Sequence, residues 1–95
     1  MDIKKIITLK INSSLSPEFI KIIDFSSQHK NHFDNKTSGD TSHMSLIIVS
    51  DNFEGLSKIS RERKVHKILR EEIEKYLHSI RLKLYTIKEY SLVRR

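Results

Sequence analysis

Residues 42–55 read SHMSLIIVSDNFEG, an apolar strand that runs straight into an acidic turn. Met44, Leu46 and Ile48 alternate with His43, Ser45, Ile47 and Val49. The second set is itself half apolar, as suits a strand in the middle of a sheet with both faces partly covered. Asp51 and Asn52 bring turn chemistry, Gly55 can adopt a backbone angle that is costly for other residues, and Ser57 can cap a following helix. A central strand therefore hands over to a helix through a tight corner.

Upstream, Phe19, Ile20, Ile22, Ile23 and Phe25 form a β-branched and aromatic run, predicted as a first strand and set off by Ser16 and Pro17. Before it, Ile3, Ile6, Ile7 and Ile11 recur at helical spacing behind Asp2, a candidate cap, which predicts a helix to about Ser14. Residues 27–42 are polar and without period and read as a long loop, while 91–95 read as a frayed tail. Downstream, a helical turn is expected around Leu56 to Ser60. A long helix follows, with the stripe Val65, Ile68, Leu69, Glu72/Ile73, Tyr76 and Leu77. Its other face pairs Lys67 with Glu71, Arg70 with Glu74 and Glu71 with Lys75 at i,i+4 spacing, a solvated face. Ile80, Leu82 and Leu84 alternate with Ser79, Arg81, Lys83 and Tyr85 in a last strand, and Thr86 with Glu89 fits a capping box for a short closing helix.

The resulting order is α-β-β-α-α-β-α, a single α+β domain over 1–95 with a three-stranded mixed sheet covered by helices on one face. A loop joins the first two strands, which makes them antiparallel. A helical crossover separates the second from the third, which suits parallel neighbours. The loop into the second strand and the residue before the third then share one end of the sheet, near which His78 meets His29 or His32.

The 95 residues carry a formal net charge of +6 and no cysteine. Disulfides, thiolate nucleophiles and metal sites on the chain's own sulfur are excluded, so a metal would need histidine or carboxylate. The positive charge favours anionic partners without choosing among nucleic acid, acidic lipid and acidic protein. No apolar run reaches the roughly 20 residues of a membrane span. MDIKKIITLK has neither the uninterrupted apolar core of a signal peptide nor the Arg/Ser-rich pattern of a transit leader, and a cytoplasmic or nuclear location is expected, or a mitochondrial one if a presequence has been trimmed.

The V-S-D-x-F-E-G corner (Val49 to Gly55), basic Arg61 and Arg63, a histidine just before the last strand (His78) and T-x-x-E-aromatic at the end (Thr86, Glu89, Tyr90) resemble, in order and spacing, the BolA-like family over Asp24 to Tyr90. The resemblance implies a class II KH-like fold and, as in eukaryotic members, partnership with a monothiol glutaredoxin in handling a [2Fe–2S] cluster. It gives His78 the role of a cluster ligand. It also implies a second ligand from the loop after the first strand, for which His29 fits best by counting and His32 is the reserve. The family's R-H-R stands here as Arg61-Glu62-Arg63, the closing T-P-E-E-W has lost its proline and tryptophan, and the loop is longer than usual.

A [2Fe–2S] cluster accepts imidazole on one iron and thiolate on the other. A chain without thiols supplies only the imidazole half, and a partner cysteine with glutathione would supply the rest. The expected state is a monomer alone and a heterodimer with the partner. Against this stand ordinary roles for histidine: His43, heading the central strand, reads as structural, and His66, beside the helical stripe, as partly buried packing. The competing reading is a KH-like or helix-turn-helix nucleic-acid-binding regulator using Lys58, Arg61, Arg63, Lys64 and Lys67. It lacks a G-x-x-G clamp after Gly55, and its binding would be weak and salt-sensitive. No Gly-rich phosphate loop or paired carboxylates argue for an enzyme.

Overall fold

The computed structural model describes residues 2–25 and 42–93. Asp2 starts the first helix, α1 (Ile3–Leu15), by accepting hydrogen bonds from the amides of Lys4 and Lys5 at 3.1 and 3.3 Å. Three apolar residues at four-residue spacing, Ile7, Ile11 and Leu15, are wholly buried along it. The helix stops where Ser16 turns left-handed (φ 42°) and its amide donates to the Asn12 carbonyl.

Strand β1 (Phe19–Asp24) runs antiparallel to β2 (Ser42–Val49), which lies in the centre, and β3 (Leu77–Tyr85) runs parallel to β2 on its other side. Met44, Leu46 and Ile48 of β2 are buried together with Ile7, Ile11, Phe53, Val65 and Leu69, so one face of the sheet holds the core. The mixed sheet and the antiparallel-then-parallel order are as the sequence predicts. Several expected boundaries differ. The long helix expected to carry Leu77 ends at Lys75, Leu77 opens β3 so that His78 lies within that strand and not just before it, and the closing helix runs to Val93 where 91–95 read as a frayed tail. In place of a turn at Leu56–Ser60 followed by a separate long helix there is a 3-10 turn at Asp51–Phe53, then α2 (Lys58–Ile68) and α3 (Arg70–Lys75). Ser57 accepts from the Ser60 amide and starts α2 directly, and the stretch 58–68 has no glycine or proline to interrupt it. The bend falls at Leu69, whose amide still donates to Val65 and whose carbonyl still accepts from Ile73.

Within the stripe, Glu72 is buried, and a 2.7 Å bridge from Lys10 of α1 to one of its oxygens fastens α3 to α1 and raises the pKa of Lys10. Glu71 pairs with Lys75 and Lys10, and Arg70 with Glu74. His66, expected to be partly buried, is exposed: it lies off the line through Val65 and Leu69 that faces the sheet.

The last helix, α4 (Ile87–Val93), does not join α1–α3. Phe19, Val49 and Tyr85 share the sheet's other face by register, and Tyr90 of α4 stacks on Phe19 with centroids 5.5 Å apart and lies 5.5 Å from Tyr85. The helix thus closes one end of that face, while α1–α3 cover the opposite one.

Ser50 binds α1 to the end of β2. Its buried hydroxyl donates to the Leu15 carbonyl at 2.7 Å and accepts from the Asn52 amide at 3.1 Å, and the Asn52 side chain donates to the same carbonyl at 2.8 Å. Ser50→Ala is expected to lower stability by about 1–3 kcal/mol, read as a reduced urea midpoint at unchanged slope; an unchanged midpoint would show that Asn52 alone suffices.

Candidate functional site

Two clusters matter, one at each end of the sheet. At the end closed by α4, the corner residues are engaged internally. Phe53 is fully buried, Gly55 takes φ 78°, and an Asp51 oxygen accepts from the Ile87 amide at the start of α4. Arg61 is the hub. Its guanidinium donates to both oxygens of Glu89 at 2.6 and 3.1 Å, to the Leu84 carbonyl at 3.1 Å and to the Leu56 carbonyl at 3.0 Å, and it lies 5.8 Å from the Phe53 ring centroid. Glu89 also accepts from the Thr86 amide, and its own amide donates to the Thr86 hydroxyl, which is the capping box the sequence predicts. The Arg61 hydrogen bond is the largest influence holding the Glu89 carboxyl down to about 2, with the Thr86 amide next.

This geometry removes Arg61 from the free cations. Lys58, Arg63, Lys64 and Lys67 remain exposed along α2. A shallow groove of about 620 Å³ lies between α2 and β3, walled by Leu56, Lys58 and Val93 and floored by Leu82 and Leu84.

The other end of the sheet carries the histidines. Ser42 pairs with Leu77 and His43 with Ser79, so the register slips by one and His78 is the extra residue in β3. Such bulges recur beside functional sites. The Phe25 amide donates to the His43 carbonyl at 2.6 Å, so the chain leaves β1 and rejoins at β2 beside the start of β3. His29 and His32 fall in 26–41 and lie outside the described residues. The histidine that the register does bring to His78 is His43, half-buried at the head of β2 and one strand away, where strands run about 4.8 Å apart. The sequence reads His43 as structural, and it makes an interaction of its own at the head of β2. Among the described residues no group of three or more His, Cys, Asp or Glu could hold a metal. Nor is any helix among them long and apolar enough to cross a membrane.

Residues 11–89 match the family model described as BolA-like protein. The chain is similar to the DNA-binding transcriptional regulator BolA of Escherichia coli, with 33% identity over 95% of this chain and 81% of that protein. Among solved structures it is similar to BolA1 from Arabidopsis thaliana (TM-score 0.77, 31% identity, covering 94% of this chain and 96% of that one). It is also similar to the BolA domain of SufE1 from the same plant (TM-score 0.75, 32% identity, 90% and 92%).

Because the folded protein holds Glu89 to about 2 against an ordinary 4.5, the unfolded chain takes up that proton more readily. The contribution of Glu89 is therefore complete above about 4.5 and lost as pH falls towards 2. With the carboxylate partly exposed and screened, it should amount to about 1–2 kcal/mol. Denaturation between pH 6 and 2 is expected to show this loss in the wild type, and Glu89→Gln should be less stable at pH 6 and lack that part of the acid dependence.

Proposed function

The chain belongs to the BolA-like family, and from that premise we propose that it is a non-enzymatic adaptor that partners a monothiol glutaredoxin and co-ligates a bridging [2Fe–2S] cluster for delivery or iron sensing. The observation that carries the reading is the position of His78 as the extra residue of β3, beside His43 and at the end of the sheet where 26–41 leaves and returns. The likeness to the BolA domain of SufE1 and to plant BolA1 is consistent with an iron–sulfur role.

The donor chemistry fits half a site. With no cysteine in the chain, neutral imidazole is the nitrogen donor it can offer to iron, and a thiolate must come from the partner and glutathione. His78 is the first ligand in this reading. His43 is the second that the register favours, and His29 and His32 are the loop alternatives. A cluster bound across such a boundary is released when the partners separate, which suits transfer over storage.

A second reading has a specific observation behind it: bacterial relatives named as DNA-binding regulators, together with four exposed cations on α2. On that reading Lys58, Arg63, Lys64 and Lys67 contact phosphates, and affinity falls steeply with salt.

Anaerobic reconstitution with a monothiol glutaredoxin and glutathione, followed by visible absorption and circular dichroism, tests the main reading. His78→Ala should change the cluster spectrum and shorten its lifetime, and whichever of His29→Ala, His32→Ala and His43→Ala does the same identifies the second ligand. Spectra indifferent to His78→Ala would remove the ligand assignment.

A further inference from the structure

The sheet face opposite the core is organised by register into rows of neighbouring side chains. Beyond the aromatic row of Phe19, Val49 and Tyr85 comes Lys21–Ile47–Lys83, and beyond that Ile23–Ser45–Arg81. Lys21, Lys83 and Arg81 are all exposed, and none forms an ion pair with another described residue. These three rows contain no carboxylate. Cations therefore stand on both outer strands, Lys21 and Lys83 about 10 Å apart across two strand spacings with Ile47 between them. At one end Phe19, 39% exposed, stacks on Tyr90.

We propose that this face is a second binding surface, one that takes single-stranded nucleic acid. The inference deepens the nucleic-acid reading by naming a different surface and a strand form, and it is independent of the cluster reading. A single strand offers both things the face can hold: phosphates for Lys21, Lys83 and Arg81, and an unstacked base face for the Phe19 ring, with Ile23 and Ile47 as apolar contacts. A duplex keeps its base faces stacked inside, and a slightly twisted sheet laid flat against it would meet phosphates only. An acidic peptide would match the cations and leave the aromatic end unused. With three phosphate contacts the affinity should fall with salt at a logarithmic slope of about −2. The cations of α2 are carried by a helix on the core side of the sheet, so the two surfaces can be altered separately.

Fluorescence anisotropy with short labelled single-stranded DNA and RNA, the same DNA as a duplex, and polyglutamate as probes makes the test, with circular dichroism and urea unfolding verifying that each variant is folded. Single strands should bind more tightly than duplex or polyglutamate. Lys21→Glu with Lys83→Glu should weaken them by about tenfold and flatten the salt slope, and Phe19→Ala should weaken them by about fivefold with the slope kept. Lys58→Glu with Lys64→Glu, on the surface of the other reading, should weaken single strands less than the sheet variant does, and Lys4→Glu with Lys5→Glu on α1 should leave their affinity nearly unchanged. Binding lost only in the α2 variant overturns the sheet surface while leaving the nucleic-acid reading standing. Equal binding of polyglutamate overturns the choice of partner, and the absence of nucleic-acid binding in the wild type overturns both.

Discussion

The architecture depends on one guanidinium. A three-stranded sheet with its helices on one side has no evident means of carrying a further helix round its edge. Arg61 supplies it by reaching from α2 across the edge of β3 to grip Glu89 of α4 with two parallel hydrogen bonds. Paired forks of this kind are among the strongest polar contacts a protein makes. Arginine is needed rather than lysine, because only a planar group with several donors can also reach the Leu84 and Leu56 carbonyls. Once α4 is held, Tyr90 meets Phe19 and Tyr85, and the far end of the sheet is closed.

That accounts for most of the residues by which the chain resembles its family. Ser50, Asp51, Phe53, Gly55, Arg61, Thr86 and Glu89 hold the corner and the closing helix together. They identify a fold. The histidine of the pattern, His78, is at the opposite end, where β2 and β3 begin.

The fold was legible in sequence because its signals are local: Asp2 and Ser57 as caps, Thr86 with Glu89 as a capping box, alternation in 42–49 and 80–85, and a four-residue period along α1. Ser57 caps α2 as read, but the expected separate turn at 56–60 is part of that helix, since nothing in 58–68 interrupts it. Less of the candidate site could be read, since it depends on pairing. Arg61 looks like any other cation of a basic helix until Glu89, far along the chain, arrives beside it. The slip at His78, one strand from His43, shows only once β2 and β3 are paired. Long-range partners leave no trace in spacing.

The bond from Arg61 to Leu84 has an effect beyond holding α4. In a parallel strand the amide and carbonyl of one residue point the same way, and since Tyr85 gives its carbonyl to Ser50 on the β2 side, Leu84 must present its own outward. An outward row of unsatisfied backbone groups invites another chain to extend the sheet, which is how many β-proteins begin to polymerise. By occupying that carbonyl, and with α4 anchored alongside, Arg61 blunts the rim of β3 against self-templating.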